Sequence, residues 1–470
     1  MTTRNSFKIT ALALALSAPS ALATNGYFTH GVGAHNKAQA GAGLASPSQA
    51  IDAANNPASA ILVDDQTNAS LSIFSPRRSY TASASMAQGN GGAFSIMTQG
   101  ELDSKSNYFP LPTVSKKWMW GDDSAFVFSF YGRGGMNTDW KGGSANFDLT
   151  GDQVADGPQG GFGGTFGASA FGAAPEAGVD LMQAFVELAW ATKVSDTVSL
   201  GVAPVVVIQA FEAKGLEAFA GYTKTFLQTF METGNQMAAF GAVDSLTGNG
   251  HEYSTGLGIK LGAHFQLSDS LALALAYQPE ISMSEFDDYA DLFADAGGFD
   301  IPASLRVGLS FQATPSFAVH LDGETISYSD IGSVGNSGTN IFQCPLANPQ
   351  ASNAEACLGG SQGAGFGWDD MTVVKLGFTW VQGDTTYRAG ISQGDQPIGS
   401  GEVLFNILAP GVMEQHLTFG MGKKLSNNRE WGFSFMYAPE ESVSGRSMFD
   451  PSQTIELSMK QFELEFYYTW

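Results

Sequence analysis

Residues 461–470 read QFELEFYYTW. Phe462, Leu464, Phe466, Tyr468 and Trp470 occupy every second position, with Gln461, Glu463, Glu465 and Thr469 between them. A two-residue period sends the two sets to opposite faces of an extended strand, so this strand is apolar on one face and charged on the other. The opposite end of the chain, MTTRNSFKITALALALSAPSALA, carries Arg4 and Lys8, then the apolar run Ile9–Leu16, then Ala21-Leu22-Ala23. This pattern is expected of a secretory signal peptide over 1–23 with cleavage before Thr24, too short to anchor in a bilayer. An exported chain finishing on such a strand is expected to be a β-barrel of the bacterial outer membrane.

Composition points the same way. Of 470 residues only 14% are charged, 12% are aromatic, and there are 57 Gly and 34 Phe. That suits strands with an apolar lipid-facing side and small residues inside. No later segment offers about eighteen uninterrupted apolar residues, so no membrane-crossing helix is expected. No Pro- or Ser-rich linker divides the chain, which argues against two soluble sandwiches. The net charge of −23 argues against nucleic acid or an anionic surface as partner. Acidic pairs such as Asp287-Asp288 and Asp369-Asp370 are expected in wet loops or a polar lumen.

Alternating segments recur, and fourteen can be counted: 69–86, 105–119, 123–140, 179–194, 197–213, 251–267, 269–285, 302–312, 315–329, 368–381, 383–396, 412–424, 429–441 and 457–470. The predicted fold is all-β, an antiparallel transmembrane barrel of about fourteen strands. Short turns such as Ser195-Asp196 and Ser268-Asp269 alternate with long connections. Gly132-Arg133-Gly134-Gly135 interrupts the third segment and predicts a bulge or kink where the wall opens.

Before the strands comes Thr24–Ala60, rich in Gly and Ala and without a clear period. Such a stretch buries little apolar area against a large backbone entropy cost, so it cannot form its own core. It is expected to pack inside the barrel as a plug over 24–67, with the barrel itself over 68–470.

Two connections break the β pattern. In the one spanning about 214–250, Leu216, Phe219, Phe226, Leu227, Phe230, Met231 and Met237 recur every three or four positions, with Glu217, Lys224, Gln228, Glu232 and Asn235 opposite. This predicts an amphipathic helix or helical pair broken near Gly221 or Gly234. Phe286, Tyr289, Leu292 and Phe293 make a shorter version within 285–299. These helices either pack on one another and cap the barrel, or present a groove for something greasy. A third connection, about 330–367, holds Cys344 and Cys357. In an exported chain a local disulfide is the natural reading, contributing roughly 3 kcal/mol for a loop this short. No His lies at ligand spacing from either Cys, so no metal site is expected.

Gly359-Gly360-Ser361-Gln362-Gly363 fits the G-x-S-x-G pattern, but that chemistry needs a strand–turn–helix context, and here the motif sits in a Gly/Ser-rich loop. His30, His35, His251, His264, His320 and His416 are scattered without an adjacent nucleophile. No catalytic residue and no cofactor is expected.

Several short motifs occur in a definite order. Asn56-Pro57-Ala58 lies in the plug, Tyr131-Gly132 in the third strand, Phe299-Asp300-Ile301-Pro302 before the eighth, and Trp368-Asp369-Asp370 at the tenth; Arg388-Ala389-Gly390, Gln396-Pro397-Ile398 and Ala409-Pro410 follow. As an ordered set they resemble the FadL family of outer-membrane transporters for long-chain fatty acids and other hydrophobic compounds. The resemblance covers the whole mature chain. It implies a hatch at Asn56, Pro57 and Ala58, and a landing groove between the helical connections at 216–242 and 285–298. It also implies an internal pocket near Tyr27 and Phe28, and a lateral exit at the third-strand kink around Gly132, Gly134 and Gly135. His30, His35 and Lys37 make the amino terminus more polar than the family pattern, and the Cys344–Cys357 loop looks like an elaboration.

Strand parity adds four cations. If Leu305, Val307 and Leu309 face lipid, Arg306 faces inward; if Val374, Leu376, Phe378 and Trp380 do, so does Lys375; the same logic turns Lys260 and Arg388 inward. Lys or Arg facing lipid at mid-bilayer costs about 2–4 kcal/mol. These side chains either bind a carboxylate head group or pair with luminal acids and brace the plug. With no ATP-binding loop, the expected activity is passive uptake of long-chain fatty acids or similar molecules by a monomer. Its partners would be a hydrophobic small molecule and outer-membrane lipid. The alternatives are the same route for aromatic or aliphatic hydrocarbons, a general porin, and a barrel-type hydrolase.

Overall fold

The computed structural model describes residues 24–86, 94–98, 100–147, 162–163 and 176–470. The expected signal peptide, 1–23, lies outside the described residues. Fourteen strands form the wall: β1 (Thr67–Ala82), β2 (Phe109–Met119), β3 (Ser124–Asn137), β4 (Glu176–Ser195), β5 (Val198–Lys214), β6 (Glu252–Ser268), β7 (Leu271–Gln278), β8 (Ser304–Thr314), β9 (Phe317–Ile326), β10 (Met371–Gln382), β11 (Thr385–Gly394), β12 (Gln415–Lys424), β13 (Glu430–Arg446) and β14 (Thr454–Thr469). Each pairs antiparallel with the next, and β14 pairs with β1. At the seam, Thr67 N–H donates to Trp470 O at 2.8 Å and Trp470 N–H returns a bond to Thr67 O at 2.9 Å. The sheet is therefore closed, which is the only way a sheet can satisfy its backbone in lipid.

The inward/outward alternation follows the sequence parity. On β8, Leu305, Val307, Leu309 and Phe311 are exposed outward, while Ser304, Arg306 and Ser310 are buried. On β14, Phe462, Leu464, Phe466 and Tyr468 face out, and Gln461, Glu463 and Glu465 face in. Short connections at 120–123, 196–197, 269–270, 315–316, 383–384 and 425–429 share one rim, and the long ones share the other. Strand β7 stops at Gln278, earlier than the period suggested, because Pro279 has no N–H for the ladder.

Residues 24–63 are mostly buried. Wall groups reach in to them from several sides. Arg306 on β8 donates to Gly41 O at 2.9 Å, Lys375 on β10 to His30 O at 3.0 Å, and Thr418 on β12 to Ala38 O at 2.9 Å. Asp322 on β9 accepts from Leu44 N–H at 2.9 Å. Asn56 caps the 3-10 turn Pro57–Ile61 by accepting from Ala58 N–H at 3.0 Å, and its amide donates to Ala263 O on β6 at 3.1 Å. The approach is close enough that a Cβ at Gly201 or Gly262 would overlap the Pro57–Ala58 backbone. Those two wall glycines are the space in which the turn sits.

In the connection 215–251 a 3-10 turn, Glu217–Tyr222, leads into α1 (Lys224–Thr233) and α2 (Gln236–Ala242). The run is interrupted twice, at Thr223 just past Gly221, where the backbone is extended, and at Gly234, whose φ of 63° closes α1. The region 285–299 forms only single turns, Asp287–Tyr289 and Ala294–Gly297.

Candidate functional site

Above the barrel, four connections converge on a small apolar cavity. Leu216 and Phe219 come from the helical connection, Leu292 and Phe293 from 279–303, Leu358, Ala364 and Phe366 from the disulfide connection, and Phe405 and Leu408 from 395–414. Phe211 and Val179 at the strand ends form the floor. Burial pushes the Glu217 carboxyl, next to Leu216 in the chain, above the ordinary carboxylate range. At the barrel rim beside Phe211 and Val179, His251 Nε2 lies 3.1 Å from Asp180 and its Nδ1 3.6 Å from Glu212. The hydrogen bond it donates to Asp180 raises its pKa above 6.5.

An aromatic chain continues inward. Phe293 stands 5.0 Å from Phe299, Phe299 stands 6.0 Å from Tyr27, and Phe366 stands 6.4 Å from Trp368. Tyr27 packs on Trp368 at 5.9 Å and on Tyr328 at 5.0 Å. Tyr328 Oη fixes the amino end: it accepts from Tyr27 N–H at 3.2 Å and Phe28 N–H at 3.1 Å, and donates to Asn25 O at 2.5 Å. Trp368 Nε1 donates to Asn406 Oδ1 at 2.6 Å. On the inner side of this cluster is a second small cavity, lined by Thr24, Gly26, Tyr27, Met136, Trp368, Pro410 and Arg78.

That inner cavity adjoins a break in the wall. Pairing of β2 with β3 ends at Val114↔Phe130, so Tyr131–Asn137 have β4 on one side and no β2 partner on the other. Arg133 is the extra residue of a bulge between Gly132 and Gly134, and its guanidinium turns inward over the Phe28 ring at 4.4 Å. Phe28 pairs with Gly134, and Gly135 N–H donates to Tyr27 O at 3.1 Å. Backbone groups freed at the break are thus taken up by the amino-terminal segment, as an apolar surrounding demands. A side chain at Gly134 would strike Gln183 and Tyr27.

The four cations face inward, each fully enclosed. Lys260 lies 3.0 Å from Glu187 and bonds Tyr131 Oη and the Ala54 carbonyl. Lys375 lies 2.5 Å from Glu324. Arg306 bonds Asn55 Oδ1 at 2.8 Å and lies 3.7 Å from Glu324. Arg388 is enclosed near Tyr467, Glu430 and Asp52. Lys260 and Arg306 border a small polar cavity beside Pro57, and none of the four lines either apolar cavity.

The sequence-predicted residues therefore separate. Phe219 and Phe293 line the outer cavity, and Tyr27 lines the inner one. Phe28 sits at the break. Phe286 and Tyr289 support the floor from behind, 5.7 and 4.8 Å from Phe211. Phe226 packs on Phe240 at 4.7 Å, and Leu227 packs on the Cys344–Cys357 disulfide. Phe230, Met231 and Met237 are exposed on the outer face of the helices. Sequence periodicity missed Leu358, Phe366, Phe405 and Leu408, which lie in loops without a period; their only signal is apolar bulk among glycines. Ser361 of the G-x-S-x-G stretch lies on an exterior loop, with Glu355 3.4 Å from its hydroxyl.

No protein-family model and no curated protein sequence matches the chain. Solved structures do match. A Pseudomonas aeruginosa FadL homologue superposes with a TM-score of 0.61 at 15% identity, over 95% of this chain and 99% of that one. The chain has the FadL fold. The P. putida toluene transporter TodX shares the FadL fold at a TM-score of 0.56 and 15% identity, over 94% and 98% of the two chains. The Ralstonia pickettii toluene transporter TbuX shares it at 0.54 and 16%, over 94% and 98%. At this identity the FadL barrel is common ground, while the side chains lining the cavities are this chain's own.

Proposed function

We propose that this chain is a passive outer-membrane channel for hydrophobic small molecules, exported after removal of residues 1–23 and working as a monomer. The observation that carries the reading is the run of aromatic walls from the outer cavity to a break in the barrel wall. A molecule collected on Phe230, Met231 and Met237 partitions into the outer cavity, passes Trp368 and Tyr27 into the inner cavity, and leaves sideways between β2 and β3. Residues 24–67 act as the plug, with Asn56, Pro57 and Ala58 as its hatch. The driving force is the ligand's own gradient, with roughly 25 cal/mol per Å² of apolar area gained on capture.

A neutral hydrocarbon is the ligand class that the charges favour. The luminal cations are committed to Glu187, Glu324, Asn55 and backbone carbonyls, so a buried carboxylate would have to displace a partner already in place. A long-chain fatty acid remains the second reading; the cation that lines the inner cavity is Arg78, whose guanidinium bonds Asn137 O and Ser106 O. Mass spectrometry of molecules extracted from the purified protein, followed by titration of what is found, tests both. Hydrocarbons or fatty acids held at stoichiometric level support the channel. An empty extract together with open-pore conductance in a planar bilayer rejects it in favour of a porin.

A further inference from the structure

One short stretch, Leu358–Phe366, joins three parts of the outer site. It is strapped to the helical connection: Leu358 N–H donates to Tyr222 O at 3.0 Å, and Lys224 N–H donates to Leu358 O at 2.9 Å. One residue later it reaches the opposite connection, where Ala296 N–H donates to Gly359 O at 3.0 Å. Its side chains Leu358, Ala364 and Phe366 then form one wall of the outer cavity. The spacing between the two connections is therefore set through this stretch.

The stretch itself is poorly suited to holding a shape. Gly359, Gly360, Gly363 and Gly365 give it a backbone that loses much entropy on ordering. Order is imposed from outside. The Cys344–Cys357 disulfide ends immediately before Leu358 and is packed against Leu227 of α1. Lys224 Nζ lies 2.6 Å from Glu355, and Asn336 donates to Gly363 O at 2.9 Å. We infer that Leu358–Phe366 determines the size of hydrophobic molecule that the outer cavity admits, and that the disulfide is the positioning group that holds this wall in place. The inference rests on the outer cavity being a ligand site.

The test is displacement of the dye N-phenyl-1-naphthylamine from the full chain in detergent, by toluene and by biphenyl. Phe366→Ala keeps the disulfide and enlarges the cavity; Cys344→Ser with Cys357→Ser keeps Phe366 and frees the wall. Both should raise biphenyl affinity relative to toluene by about tenfold, the scale of a small change in an apolar pocket. Phe366→Tyr, of similar bulk, should leave the ratio as in the wild type, and reduction of the wild-type disulfide should reproduce the double variant. An unchanged ratio in Phe366→Ala that still binds dye overturns the inference and leaves the channel reading intact. A wild-type protein from which neither compound displaces dye overturns the ligand site itself.

Discussion

Phe28 is paired with Gly134 at the point where β3 has already parted from β2. The amino-terminal segment thus stands in for a missing stretch of wall strand. Its hydrogen bonds to the wall and loops include that pair, Gly135 N–H to Tyr27 O, the Tyr328 hydroxyl, and the two that Thr24 exchanges with Gln461 at 3.2 and 3.0 Å. On the proposed lateral route, ligand has to displace it. A cysteine pair, Thr24→Cys with Gln461→Cys, should therefore stop uptake of toluene into liposomes at least tenfold when oxidised, with recovery on reduction. Full uptake through a verified cross-link would show that the segment stays in place during transport.

Lys260 and Glu187 are enclosed together, 3.0 Å apart. Removing one partner leaves the other charge buried, so Lys260→Met should cost about 3–5 kcal/mol in thermal unfolding. Adding Glu187→Met should restore most of that loss, since an apolar pair needs no compensation. Additive losses would mean that the pair is not acting as a unit.

Because the cations brace the inner segment, replacing Lys260, Arg306, Lys375 or Arg388 singly by Gln should change oleate and decane affinity by the same factor in competition binding. A loss about tenfold greater for oleate in any one variant would assign that side chain to a carboxylate head group.

Trp368 lines the inner cavity and stands 6.4 Å from Phe366 of the outer one. Trp368→Ala should destabilise the barrel by about 3–5 kcal/mol and speed passage of biphenyl relative to toluene. Trp368→Phe keeps the ring but leaves Asn406 Oδ1 without its donor, at a cost of about 1–3 kcal/mol, and should leave that uptake ratio unchanged. Equal ratios in both variants would place the constriction elsewhere.

The raised pKa of His251 makes its ion pair with Asp180 pH-dependent. Folding favours the protonated form, so its stabilisation is complete below about 6.5 and disappears as pH rises through the raised folded value. The difference in melting temperature between wild type and His251→Gln should accordingly be largest at pH 5 and vanish in alkaline buffer. A difference constant across that range would remove the charge from the account.

Most of the barrel was legible in the sequence because lipid imposes one rule on every strand: alternate residues must be apolar. Arg306 and Lys375 could be turned inward on that rule alone. Their partners could not be read, because pairing depends on register and diagonal reach. Lys375 lies directly opposite Asp322, yet its short contact is with Glu324, two residues along. The outer cavity was half legible. Phe219 and Phe293 carried a helical period, whereas Phe366 and Phe405 sit in loops, where nothing in the local pattern says which way a side chain points.

The seam between Thr67 and Trp470 has a consequence for biogenesis. The first wall strand receives its second neighbour only from β14, so the cylinder cannot close before that last wall strand is in place. Until the final strand arrives, β1 and β13 are both open edges, ready to pair with any extended peptide. Such long-range closure is slow, and the waiting chain needs escort. Loss of β14 to a stop codon or a protease would leave an aggregation-prone sheet, not a shortened barrel.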